Sequence, residues 1–265
     1  MGNHKEEKVR EVVKNLRLID DSFFRVFAND KAACEEILQT LLDDADLKII
    51  SVTPQFTATG FAREVIFDSL CKQESNDIIV IEVQKGNKQD DTKRCRLYLS
   101  VGTAISTPKG TDFSDVPNVT IIYITEYDAL HNGQTVTKSC MCQYIEKTDR
   151  FVPLEDGGTV YYANTCVDDG TKKAELLKMF LERGPVSNPD FPNVTRAINY
   201  YKGNTKEGDD MCEAVEKYAE ERIKEHDEKQ TKKYVKNMLS KNLSLDVIAE
   251  CLNITVEEVK ALAES

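Results

Sequence analysis

A chain of 265 residues, 40% of them hydrophobic and 31% charged, is long enough to bury a substantial core, and its formal charge of -11 argues against a broadly basic, nucleic-acid-coating surface. No apolar run approaches the ~20 residues that span a bilayer, and the opening MGNHKEEKVR has neither an apolar signal core nor the serine or threonine of a myristoylation motif, so no membrane attachment is expected. Of the eight cysteines only Cys140 and Cys142 lie close together, and His4, His131 and His226 are far apart; zinc chemistry and a Ser-His-Asp triad lack support, and reduced thiols in the cytoplasm are expected.

Val9, Val12, Val13 and Leu16 recur at near-helical spacing and predict a short first helix. Asp20, Asp21 and Ser22 are N-cap candidates for a piece over Phe23–Phe27. Lys31–Leu42 puts Ala33, Ile37, Leu38, Leu41 and Leu42 on one helical face, with Glu35 and Glu36 on a solvated one. Leu47–Phe56 reads as a strand that Pro54 pushes toward a sheet edge.

Two β-branched runs follow, Arg63–Lys72 and Asp77–Lys85, around the polar turn Gln73–Asp77. A hairpin symmetric about Ser75 pairs residues whose numbers sum to 150, which sets Asp68 opposite Glu82, with Gln84 on the face of Glu82. Directly opposed Cβ atoms lie about 4.5–5.5 Å apart, where like charges destabilise unless something neutralises them. Oxygen-only ligands favour a hard cation such as Mg²⁺ or Mn²⁺. The plainer alternative is the wet end of a half-exposed sheet face.

Thr92–Ile105 reads as a helix carrying Lys93, Arg94, Arg96 and Tyr98, with Arg94 and Tyr98 on one face. Val119–Thr125 is as apolar as a strand buried on both faces, and Asp128 reads as a turn residue. Met141–Glu146 and Thr159–Asn164 predict an added hairpin around the turn EDGG, leaving no glycine-rich phosphate loop. Helices are expected over Lys172–Arg183, Val194–Tyr201 and, after a polar linker at Glu207-Gly208, Met211–Leu239. Two short helices close the sequence, one capped by Ser244 and one by a Thr255–Glu258 capping box. They resemble a helix-turn-helix, but Glu257 and Glu258 suit neither a phosphate nor a base edge, which favours a packing or partner module. The expected organisation is an α/β domain over 1–205 and a helical appendage over 206–265.

The strings DDSFFRVF, CEEILQTLL, AREVIFDS, IEVQ, KRCRLYLS and NVTIIYITEYD, and more loosely TVYYANT and RAINYYK, occur in an order that resembles the PD-(D/E)XK nuclease superfamily, and within it the bacterial PD-(D/E)XK nuclease family transposases. The resemblance spans Leu18 to Lys202. It implies a restriction-endonuclease-like αβββαβ core with a mixed sheet, in agreement with the element order above. It further implies Asp68 and Glu82 as the motif acids, the Val83 carbonyl as a third metal ligand, Gln84 at the motif's lysine position, and Arg94, Arg96 and Lys93 as phosphate contacts. Mg²⁺ or Mn²⁺ would be the cofactor and DNA the substrate; a homo-oligomer is a separate expectation. Phe67 stands where the motif has proline. Gln84 is the larger departure, because an amide can only hydrogen-bond where a lysine can also carry charge or move a proton. A relative that binds DNA or protein without cleaving is the alternative.

Overall fold

The computed structural model describes residues 11–87, 89–203, 231–241, 243–252 and 254–264. Two compact units emerge, one within Lys14–Val215 and one toward the C-terminus. The larger holds α1 (Asp21–Phe27), α2 (Lys31–Leu42), β1 (Ser51–Ala58), β2 (Val65–Lys72), β3 (Ile78–Gln84), α3 (Asp91–Ser106), β4 (Val119–Thr125), β5 (Val136–Cys140), β6 (Cys142–Ile145), β7 (Arg150–Pro153), β8 (Gly158–Asn164), α4 (Lys172–Met179) and α5 (Pro192–Tyr201). From α2 to β4 the order is αβββαβ, the restriction-endonuclease-like arrangement expected from the sequence.

One six-stranded mixed sheet organises this unit, in the order β1-β2-β3-β4-β8-β5. β1, β2 and β3 form an antiparallel meander, whereas β3, β4 and β8 run parallel. A parallel neighbour requires a crossover, and α3 supplies it between β3 and β4. The apolar runs of β3 and β4 are buried along almost their whole length, as strands covered on both faces must be. Cys95 and Val101 of α3 pack with Phe67, Leu70, Ile78, Val80, Ile121 and Tyr123. On α3, Gly102 lets the helix come close: a Cβ there would lie 2.9 Å from the Val119 side chain. α1 packs on β2 and β3 through an element whose Phe23, Phe24 and Phe27 are fully buried. Pro54 lies on β1, an edge strand, as its missing N–H requires.

Three expectations differ from the structure. Met141–Glu146 and Thr159–Asn164 do not pair. β8 instead extends the main sheet beside β4, β5 pairs with β8, and the added hairpin is β6 with β7. The EDGG segment accordingly leads into β8, and Gly157, at φ +81°, takes the left-handed turn before it. Glu35 and Glu36 are not on a solvated face. Glu35 accepts the Ile49 N–H, and Glu36 accepts the N–H groups of Asn193 and Val194, capping α5 from across the fold. Helix α4 stops at Met179, short of Arg183, and the chain turns at Gly184 with φ +72°.

In the C-terminal unit, residues 231–240 are helical and are followed by α6 (Leu245–Leu252) and α7 (Val256–Glu264). Val235, Ile248, Ala249 and Val259 form its small core. The Ser244 cap and the reciprocal Thr255–Glu258 box are both present. Most of the long helix expected over Met211–Leu239, and the linker at Glu207-Gly208, lie outside the described residues. Among the described residues no helix is long and apolar enough to cross a membrane, and seven cysteines are free thiols.

Candidate metal centre

β2 and β3 pair as Ser69↔Ile81, Leu70↔Val80, Cys71↔Ile79 and Lys72↔Ile78, all summing to 150 as the turn symmetry requires. One step further the ladder gives way. The Asp68 N–H donates to Glu82 Oε1 at 3.0 Å, and the Val83 N–H donates to Asp68 Oδ2 at 3.0 Å. Each acid thus takes a backbone donor from the strand of the other, and the two carboxylates fill the gap where the strands part.

The opposite side of β2 is irregular at the same level. Pro54↔Ser69 and Phe56↔Phe67 are paired, but Gln55, which falls opposite Asp68, adopts φ +50°. Its amide Nε2 stands 3.5 Å from Asp68 Oδ1. A left-handed glutamine inside a strand is a strained backbone, and its place beside the acid pair ties the strain to the site.

Both acids resist ionisation. Burial pushes Asp68 up to about 7, with the Val83 N–H opposing and the charge of Asp21 reinforcing the shift. Glu82, only 4% exposed, is driven well above the ordinary carboxylate range by burial and then by the charge of Asp68, against hydrogen bonds from the Asp68 N–H and the Tyr98 hydroxyl and the charge of Arg94. Two carboxylates held together in a poorly solvated gap are costly unless protonated or bridged by a cation.

Gln84 carries its amide oxygen toward Arg94, whose Nη1 donates at 2.9 Å, and its amide nitrogen toward the Gly86 carbonyl at 2.9 Å. Arg94 is also paired with Asp90 one helical turn back. Burial works against its charge, and the Asp90 carboxylate one turn back helps hold the guanidinium above its ordinary value. Arg94 is therefore a fixed cation borne by α3 and tethered through Gln84, beside the acid pair. Lys93 and Arg96, exposed on α3, do not join this group: one residue is about 100° of helical turn and two about 200°, so neither shares the Arg94–Tyr98 side.

Buried Asp91 seats the N-terminal end of α3 on the sheet, accepting from the hydroxyls of Tyr123 at 2.7 Å and Tyr127 at 2.5 Å. A second network seats α1. Arg17 forms a two-point ion pair with Glu126, just past β4, and its N–H donates to Asp20, which also accepts from Lys85, just past β3. These contacts fix the start of α1 at the C-terminal ends of β3 and β4, where Asp21 comes within hydrogen-bonding reach of Asp68 while pairing with Arg25.

Asp21 and Gln55 are the residues that sequence reasoning missed at this site. Asp21 lies in the first turn of a helix, where an acid ordinarily reads as a dipole or cap residue. The DDSFF string contained it, but nothing in spacing ties residue 21 to residue 68. Among the described residues no three His, Cys, Asp or Glu side chains form a ready-made metal cluster. The arrangement is two carboxylates in one gap, a third at its edge, and a guanidinium beyond the second.

A family model described as PD-(D/E)XK nuclease family transposase matches residues 17–157, just over half of the chain. The match includes Asp21, Asp68, Glu82, Gln84 and Arg94, and ends before β8 begins. No curated protein and no solved structure matches the chain significantly.

Proposed function

Because the chain belongs to the PD-(D/E)XK nuclease family transposases, we propose that it hydrolyses DNA phosphodiester bonds with a divalent cation, Mg²⁺ or Mn²⁺, held by Asp68, Glu82 and the Val83 carbonyl. The observation that carries this reading is the reciprocal seating of Asp68 and Glu82, which aims two reluctant carboxylates into one gap. The donor set fits a hard cation, since every donor is oxygen. When bound, such a cation polarises a phosphoryl oxygen and lowers the pKa of a coordinated water.

The chain's own groups divide the remaining work. The Asp68 N–H and Tyr98 hydroxyl orient the carboxylate of Glu82, and the Val83 N–H orients that of Asp68. Gln84 holds Arg94, so that the guanidinium offsets charge on the phosphate where the motif lysine would. Neither an amide nor a guanidinium can accept a proton at neutral pH. Asp21, exposed beside Asp68 and outside the ligand set, is assigned as the proton acceptor. Lys93 and Arg96 contact phosphate along the approaching strand. Free thiols suit a reducing compartment, which supports a cytoplasmic setting.

Incubation of purified protein with supercoiled and linear DNA in Mn²⁺ or Mg²⁺ tests this. Asp68→Asn and Glu82→Gln should each lower cleavage by about 100-fold or more, and Arg94→Ala by about tenfold to 100-fold. Cleavage that persists at the wild-type level in both acid variants overturns the assignment. Divalent-ion binding without cleavage would instead favour a DNA- or protein-binding relative, the reading that Gln84 alone invites.

A further inference from the structure

Between β5 and β8 the chain leaves the main sheet to make β6 and β7, a two-stranded ribbon in which each strand has a single neighbour. Its position follows from register. β5 runs from Val136 beside Ala163 to Cys140 beside Thr159, and Thr159 is level with Thr120 of β4 and Ile79 of β3. The ribbon therefore departs from the end of the sheet away from Glu82 and Gln84.

Alternate side chains of a ribbon share a face, so Cys142, Tyr144, Phe151 and Pro153 lie together, and all four are exposed. Tyr144 is 50% and Phe151 70% exposed, with ring centroids 5.0 Å apart, and Met141 at the ribbon's base is 61% exposed. Ile145 and Leu154, exposed as well, fall with Met141 on the opposite face. An uncovered two-stranded hairpin is marginal by itself, and a contiguous apolar patch of this kind marks an interaction surface.

The charges say what would cover it. From Met141 to Leu154 there are two acids, Glu146 and Asp149, and two bases, Lys147 and Arg150, hence no net charge, in a chain that carries -11 overall. DNA would ask for a basic excess that the ribbon lacks. Two copies of an acidic chain repel on balance, less where a patch carries no net charge, and a two-fold contact needs a patch complementary to itself. The ribbon tip, reading Glu146, Lys147, Thr148, Asp149, Arg150, alternates in sign, so a two-fold antiparallel approach sets the bases of one copy against the acids of the other.

We propose that the β6–β7 ribbon is a self-association arm whose partner is the same ribbon of a second copy of this chain. The Tyr144–Phe151 face supplies the apolar area and the alternating tip supplies orientation. This proposal does not rest on the nuclease reading.

Sedimentation velocity of the full chain over a wide concentration range tests it, with far-UV circular dichroism as the check on folding. The wild type should form a concentration-dependent dimer, and Tyr144→Ser with Phe151→Ser should sediment as a folded monomer. Lys147→Glu with Arg150→Glu should weaken the dimer by about tenfold or more, and adding Glu146→Lys and Asp149→Lys should restore it. A wild type that stays monomeric, or a dimer indifferent to these changes, overturns the proposal. If the double-serine variant fails to fold, the charge swap at exposed positions decides alone. Ribbon variants that lose DNA binding with no change in mass overturn it in favour of a nucleic-acid contact.

Discussion

The β2–β3 and β6–β7 hairpins are both antiparallel, both rich in apolar residues and both closed by a polar turn, yet one is buried and the other exposed. Composition does not separate them; position does. β3 lies inside the sheet with α3 on one face and α1 near, so Ile78 to Val83 are all buried, whereas every residue of β6 is exposed. Burial lets the first hairpin confine two carboxylates where water cannot relieve them. Exposure gives the second no such leverage, and its tip instead mixes charge with apolar rings. The same motif therefore supports chemistry where it is covered and recognition where it is not.

The sharpest way to break this contrast is to truncate one large apolar side chain in each hairpin. Ile81, fully buried on β3, should cost about 2–5 kcal/mol when changed to alanine, read from urea denaturation. A cost under about 1 kcal/mol would mean that β3 is not packed as described.

The acid pair offers an effect of opposite sign. Asp68 and Glu82 have folded pKa values above those of an unfolded chain, so the native state retains protons that the unfolded state has already released. Without a divalent cation, stability should therefore fall as pH rises from about 4, where unfolded carboxylates begin to ionise, through the range in which Asp68 titrates. Glu82→Gln removes the penalty. In chelator it should stabilise the chain by about 1–2 kcal/mol at pH 8 and leave it unchanged at pH 4. Adding Mn²⁺ should raise the wild-type melting temperature and not that of the variant. A variant less stable than wild type in chelator at pH 8 would mean that hydrogen bonding, rather than charge burial, dominates at position 82.

Much of the acid pair was legible because a hairpin is local. The turn at Gln73–Asp77 fixes the register, and register alone brings Asp68 to Glu82. Arg94 and Tyr98 were legible on one side of a helix for the same reason, since four residues make one turn. What spacing cannot supply is any contact that depends on how elements pack. Asp21 reaches Asp68 because Arg17, Glu126, Asp20 and Lys85 hold α1 at the ends of two strands, and Glu36 caps a helix more than 150 residues away in sequence. The misplaced hairpin has the same origin. Thr159–Asn164 has the alternation of a strand, but alternation names no partner: one neighbour, β5, precedes the run expected to pair with it, and the other, β4, is parallel and distant in sequence.

The smallest effect is the most discriminating. Phe151→Ala, in the exposed ribbon, should cost under about 1 kcal/mol at protein concentrations low enough to hold the monomer, because little apolar surface is removed from water there. The cost should rise at high concentration, since a partner that binds only the folded chain adds its binding energy to the apparent stability. Denaturation of wild type and variant at two concentrations separates the terms. A concentration-independent cost comparable with that of Ile81→Ala would place Phe151 in a packed core and erase the distinction between the two hairpins. A small cost that never grows would keep the distinction and leave the ribbon without its second copy.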